Sequence, residues 1–96
     1  TLDIGPRRFS IIRVPAMAGG TALGHTSIYA EEIRLAPNIN GRATARVFLH
    51  EVVHAINDEY EIDLTESQVS RLANGLCASL QALSFYPTEL KLADDV

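Results

Sequence analysis

The chain has 96 residues, 47% of them apolar, which allows one domain with a modest hydrophobic core. Twelve acidic residues outnumber eight basic ones and give a net charge of −4, so the sequence lacks the basic stripe that nucleic-acid binding requires. No apolar run approaches the roughly 18 residues of a membrane span, and the first residues lack the pattern of a signal peptide. The single cysteine, Cys77, forbids an internal disulfide. We therefore expect one cytoplasmic domain over residues 1–96, with neither a nucleic acid nor a membrane as its partner.

The first part of the chain is typical of a small sheet. Three short segments are rich in β-branched residues or alternate apolar with polar ones, and they predict strands: Phe9–Val14, His25–Ile28 and Glu32–Ala36. The small, glycine-containing segment Ala16–Leu23 predicts a loop. The second and third strands are expected to form a hairpin. Ile33 and Leu35 alternate with charged residues, which predicts one buried face for the last strand.

Two long helices are predicted in the rest of the chain. The first runs over about residues 42–60, with Asn40 or Gly41 near its N-cap. The second begins with Thr65–Gln68, a capping-box sequence, and Glu89–Ala93 predicts one further helical turn. Its buried stripe is expected at the apolar positions that repeat at helical spacing: Val69, Leu72, Ala73, Leu76, Leu80 and Leu83. The elements predict an α+β fold, with a short antiparallel sheet of about three strands packed on the two helices.

The first helix carries the pattern His50-Glu51-Val52-Val53-His54 within an apolar run. Residues four apart lie on one face of a helix, so both imidazoles can bind the same metal ion. Glu51 lies about 100° round the helix and flanks the ion, where a general base belongs. Imidazole and carboxylate ligands favour Zn²⁺, whose bound water has a pKa of roughly 7. The motif predicts metal-assisted hydrolysis of a peptide bond, with Glu51 as the catalytic base and a peptide or protein as substrate.

No histidine follows His54, so the third metal ligand must come from another residue. Asp58 shares the histidine face but lies about one turn, 5.4 Å, beyond His54, which suits it to support a ligand. Glu66 opens the second helix, where the positive helix end keeps a carboxylate ionised. We therefore predict His50, His54 and Glu66 as the ligands. The alternatives are Asp63, His25, Cys77, a second water and a group from another chain.

Several segments resemble a known group of enzymes. They are Gly24–Ile28 with Ile33–Leu35, Phe48–Ile56, Leu64–Val69 and Leu72–Leu76. Over roughly residues 8–84 the chain is similar to the minimal zincin-type metallopeptidase domains of phage-related and mobile-element proteins, cousins of the ImmA/IrrE-like peptidases. The resemblance implies a gluzincin-like site, in which Glu66 corresponds to the glutamate of the following helix. It also implies that Glu32–Ala36, the strand before the motif helix, lies along the cleft and pairs with an extended substrate.

A metal-stabilised binding or regulatory module without turnover is the alternative function. A chain of this size buries little apolar surface, so a metal can serve mainly to hold the helices together. A purely structural site has no need of Glu51, and its presence favours the peptidase. Tyr29, Tyr60 and Tyr86 are candidates for donating a hydrogen bond to a tetrahedral oxyanion, and the sequence ranks none of them above the others.

Overall fold

The computed structural model describes residues 1–14, 23–37 and 39–92. Its elements in chain order are β1 Leu2–Ile4, β2 Arg7–Arg13, β3 Gly24–Ser27, β4 Glu32–Leu35, α1 Gly41–Glu59 and α2 Glu66–Ala82. The α+β class, the small sheet and the two long helices are confirmed. The added strand is β1, whose three residues are too few to give a pattern of alternation. Neither helix in the described ranges is long and apolar enough to cross a membrane.

The sheet has the strand order β1-β2-β4-β3. The predicted hairpin of β3 and β4 is confirmed as antiparallel, whereas β2 and β4 pair in parallel. The expectation that Glu32–Ala36 lies at the edge of a cleft is wrong, because β4 is hydrogen-bonded on both sides and has no free edge. Within the described residues, β3 is the outer strand on this side of the sheet and has one neighbour only.

The central position of β4 follows from its apolar face. Ile33 and Leu35 are fully buried, as the alternation predicted, and they pack with Phe9 and Ile4 against Ala55 of α1. Apolar side chains on a strand with neighbours on both sides are less accessible to water than those on an edge strand, and their burial is favourable. The sheet therefore packs on α1 in part through two residues of β4, one of its two inner strands.

Helix α1 begins where Asn40 caps it. The Asn40 Oδ1 atom accepts a hydrogen bond from the Ala43 amide at 2.8 Å, which satisfies one of the amides that lack an acceptor within the helix. No proline interrupts the nineteen residues from Gly41 to Glu59. The histidine motif consequently lies near the middle of a regular helix, as predicted.

Helix α2 has the predicted capping box. Thr65 Oγ1 accepts from the Gln68 amide at 3.2 Å, and Gln68 Oε1 accepts from the Thr65 amide at 2.8 Å. The predicted buried stripe is wrong in part, since Val69, Ala73 and Cys77 are buried while three leucines are exposed: Leu72, Leu76 and Leu83. Among the described elements α2 contacts α1 alone, so one column of side chains spaced by four residues is covered.

The segment after α2 returns to the start of α1. Leu90 donates its amide hydrogen to the Gly41 carbonyl oxygen at 2.8 Å. Glu89–Leu92 forms no helical turn, contrary to the prediction, because its backbone hydrogen bond goes to α1. Ala93 and the predicted loop Ala16–Leu23, apart from Leu23, lie outside the described residues.

Tyr86 secures this return through its hydroxyl, which donates to the Ala45 carbonyl oxygen. Burial, with a smaller contribution from the charge of the Cys77 thiolate, raises the pKa of the Tyr86 hydroxyl from 10.0 to about 12. The hydroxyl therefore ionises at lower pH in the unfolded chain than in the folded protein. Its contribution to stability is complete below pH 10 and is lost as the pH rises to about 12.

Tyr86→Phe should lower the free energy of unfolding by about 1 kcal/mol at pH 7, because a buried hydrogen bond is lost. Between pH 10 and about 12 the variant should lose less stability than the wild type, so the two converge. Urea unfolding at several pH values measures both effects. Tyr29→Phe is the matched control, since Tyr29 is 98% exposed and should be insensitive. A constant difference between wild type and Tyr86→Phe across this pH range would contradict the assignment.

Candidate metal centre

The two histidines of α1 line a cleft of about 610 Å³. Strand β3 forms one side of the cleft, and Glu66 and Asn74 of α2 contribute to the other. The described residues that line it are Leu23, Gly24, His25, Thr26, Arg46, Val47, His50, Glu51, His54, Asp58, Glu66 and Asn74. The cleft thus brings together residues that are far apart in the sequence.

His50 and His54 direct the same ring nitrogen toward one point beside Glu66. His50 Nε2 lies 3.0 Å from Glu66 Oε1, and His54 Nε2 lies 2.9 Å from Glu66 Oε2. The two Nε2 atoms are 3.1 Å apart. These three residues form a group that could bind a metal ion, and they are the three that the sequence predicted as ligands.

The spacing of these donor atoms fits a small tetrahedral ion. Ligand atoms about 2.0–2.1 Å from Zn²⁺ in a tetrahedral site lie roughly 3.3 Å from one another. The shortest observed separations, 2.9–3.1 Å, are close to this value, and the two that involve Glu66 reach different oxygens of its carboxylate. One donor atom from each of the three residues lies within 4.8 Å of the other two. Two imidazole nitrogens and one carboxylate would supply three of the four ligands of a tetrahedral site.

The turn between the helices carries Glu66 to the histidines. The Asn57 side chain accepts a hydrogen bond from the Leu64 amide at 2.9 Å and donates one to the Leu64 carbonyl oxygen at 3.4 Å. Glu61 and Asp63 adopt positive φ values of 51° and 66°, which reverse the chain direction within a few residues. Asn57 therefore fixes the residue that leads into α2, and with it the position of Glu66.

Glu51 is buried, with 6% of its surface exposed, on the side of α1 that faces β3. A buried carboxylate requires hydrogen bonds, and Thr26 supplies a donor: its Oγ1 lies 2.7 Å from Glu51 Oε1 and 3.0 Å from the Glu51 carbonyl oxygen. Gly24 is on the same face of β3, two residues earlier. A Cβ at Gly24 would lie 2.9 Å from Glu51 Oε2 and 2.7 Å from Val47 Cγ1. Both residues therefore shape the space that Glu51 occupies.

The alternative ligands lie outside the close group of donor atoms in the described structure. Cys77 is buried in the helix interface, and Asp63 is exposed in the turn. His25 and Asp58 line the cleft but do not join the histidines and Glu66. None of the three tyrosines is among the described lining residues, and the hydroxyl of Tyr86 is engaged by a backbone carbonyl.

Three residues that shape the site were not predicted: Gly24, Thr26 and Asn57. Gly24 and Thr26 share one face of a short strand, and this spacing of two is the available signal. It does not show that this face meets α1, which depends on contacts between distant segments. Asn57 follows the motif just before a polar turn, a context in which an amide side chain often satisfies backbone groups.

Gly24→Ala should destabilise the protein by about 1–3 kcal/mol, because the added methyl group overlaps Val47 and Glu51. Gly75→Ala is the matched control, since a Cβ at Gly75 in α2 meets no atom within 4 Å. It should stabilise the protein by about 0.5–1 kcal/mol, because alanine favours the helix. Urea unfolding of the two variants measures these opposite shifts. An equal change in the free energy of unfolding of both variants would contradict the close approach of β3 to Glu51.

No family model, curated protein or solved structure matches the chain.

Proposed function

We propose that the protein is a zinc-dependent metallopeptidase that hydrolyses peptide bonds, of the minimal zincin type that its motif resembles. The basis is the convergence of His50, His54 and Glu66 on one point beside a buried carboxylate, Glu51. Structural zinc sites are closed by four protein ligands, whereas catalytic sites have three and keep one position open. Three donors at the side of an open cleft match the catalytic arrangement and favour it over a binding module.

Zinc suits this donor set, because neutral imidazole and carboxylate are common ligands of Zn²⁺. When bound, the ion lowers the pKa of a water ligand to roughly 7 and polarises the substrate carbonyl group. The side chains of His50 and His54 are 24% and 26% exposed, so most of each ring is covered by neighbouring residues. Both residues line the cleft. The Glu66 side chain is 68% exposed and brings its carboxylate to the histidines from α2.

Glu51 is the general base of the proposed reaction. It lines the same cleft as the histidines, and the hydrogen bond from Thr26 orients one of its two carboxylate oxygens. A carboxylate held in this way can accept a proton from the attacking water and transfer it to the amine that leaves. Burial of a carboxylate is costly, and a module that only held a metal would not need this side chain.

An extended peptide is the substrate shape that the cleft favours. β3 is the outer strand of the sheet among the described residues, and three of its residues line the cleft. A peptide that pairs with a strand edge gains main-chain hydrogen bonds whatever its sequence. We therefore assign to β3 the substrate-pairing role first expected for Glu32–Ala36.

Purified protein should bind one Zn²⁺ per chain, and His50→Ala or His54→Ala should abolish this binding. Glu66→Gln should weaken it by at least about 100-fold, since even the loss of a group that supports a ligand costs 10–100-fold. Competition with a chromogenic chelator measures the affinities. Zinc should also raise the melting temperature of the wild type, because it binds the folded state.

Glu61→Gln and Asp63→Asn are the matched controls for Glu66→Gln. Both remove one negative charge from exposed residues of the turn beside Glu66. Neither should change the affinity for zinc by more than about twofold, because surface charges interact weakly through water. Release of zinc by Asp63→Asn, with retention by Glu66→Gln, would show that the third ligand is Asp63.

Glu51→Gln should keep both the fold and the zinc while hydrolysis falls by roughly 10²–10⁴-fold, because an amide cannot accept the proton. The measurement is mass spectrometry of a broad peptide pool incubated with each zinc-loaded protein. Equal activity in the variant would exclude Glu51 as the base. A wild type that binds zinc but cleaves nothing in the pool would favour the metal-stabilised binding module.

A further inference from the structure

Arg46 is an arginine of the cleft with no acceptor in the described part of the chain. The other six arginines each hold a carboxylate, a hydroxyl or a backbone oxygen: Arg7, Arg8, Arg13, Arg34, Arg42 and Arg71. Arg46 is exposed and lines the cleft. Its guanidinium has five donors and is always charged, so it is available to an anion that enters the cleft.

The cleft has opposite charges at its two ends. Arg46 lies one turn before His50, and Asp58 lies one turn after His54, and both line the cleft. At a rise of 1.5 Å per residue they are roughly 18 Å apart along α1, and each is about 9 Å from the level midway between the histidines. An anionic group of a ligand is therefore attracted at the Arg46 end and repelled at the Asp58 end.

We propose that Arg46 binds a carboxylate of the peptide substrate about three residues from the bond that is cut, an inference that rests on the proposed function. An extended chain advances about 3.3 Å per residue, so three residues span the distance from the metal group to Arg46. Arginine binds carboxylates through two parallel hydrogen bonds, which gives this contact a defined geometry. The carboxylate belongs to an aspartate or glutamate side chain or to the C-terminus of a short peptide.

The direction of β3 determines on which side of the cut this carboxylate lies. Gly24 approaches both Glu51 and Val47, the neighbour of Arg46, whereas the hydrogen bonds of Thr26 go to Glu51. The start of β3 is therefore at the Arg46 end of the cleft. A peptide that pairs antiparallel with β3, in the more stable kind of ladder, has its C-terminal half at that end. The carboxylate consequently lies on the C-terminal side of the scissile bond.

Peptide binding to the full-length, zinc-loaded Glu51→Gln protein tests this subsite without turnover. The probes are decapeptides with a neutral dye, an amidated C-terminus and a single glutamate at successive positions, each matched by a glutamine peptide. A third set has no glutamate and a free C-terminus, which separates the two sources of the carboxylate. We expect Kd, measured by fluorescence anisotropy, to be about tenfold lower for the best glutamate peptide than for its glutamine match.

Arg46→Gln should reduce this preference to about twofold or less, and Arg46→Lys should restore part of it, because lysine keeps the charge but not the paired hydrogen bonds. Arg42→Gln is the matched control. Arg42 is also exposed on α1, one turn before Arg46, and it is not among the described residues that line the cleft. Its Nε atom lies 3.6 Å from Glu89 Oε1. The same charge is removed in both variants, so only a local contact separates them.

A preference that survives Arg46→Gln would show that another group, such as zinc or His25, binds the peptide carboxylate, and it would overturn the subsite. An equal loss of the glutamate preference in Arg42→Gln would also overturn the subsite, and so would the absence of any preference for glutamate over glutamine. Mass spectrometry of the same peptides cleaved by the wild type locates the cut, and a preferred glutamate on its N-terminal side would overturn the placement. An Arg46-dependent preference in a protein that cleaves nothing would support the subsite while refuting the proposed peptidase.

Discussion

The return of the chain after α1 is the constraint on which the metal group depends. Two histidines on one helix provide only two donors, and the third must arrive from a segment that reverses direction within a few residues. The Asn57 side chain holds Leu64 by two hydrogen bonds, and Thr65 then caps α2. Glu66 is the first residue of that helix, so the helix directs its carboxylate at the histidines without depending on a flexible loop.

Burial of Glu51 is the second constraint, and it links the sheet to the chemistry. A carboxyl group at 6% exposure is stable only where hydrogen bonds replace those lost to water. Thr26 provides the donor, and the missing side chain of Gly24 provides the space. Strand β3 therefore has two functions in the proposed enzyme. One face orients the base, and the edge that pairs with no other described strand binds the substrate.

Local patterns predicted the helices and the donor residues well, because capping and helical periodicity depend on residues close in sequence. Asn40 and Thr65 cap as expected, and His50, His54 and Glu66 meet. Strand order could not be predicted in this way, since the parallel pairing of β2 with β4 joins distant segments. The exposure of Leu72 and Leu76 has a similar cause, because periodicity identifies an apolar face but not how much of it another element covers.

The position of the histidines follows from how α1 is held on two sides. Ala55 packs in the cluster against the sheet, and Val53 packs against α2 with Val69. At about 100° per residue, Val53 and Ala55 point roughly 160° apart round the helix, and both histidines fall in the wider sector between them. Rotation of α1 would expose one of these two contacts, so packing alone keeps the imidazoles in the gap between β3 and α2. A metal ion would therefore find these side chains already oriented, because core packing rather than the ion orders the helix.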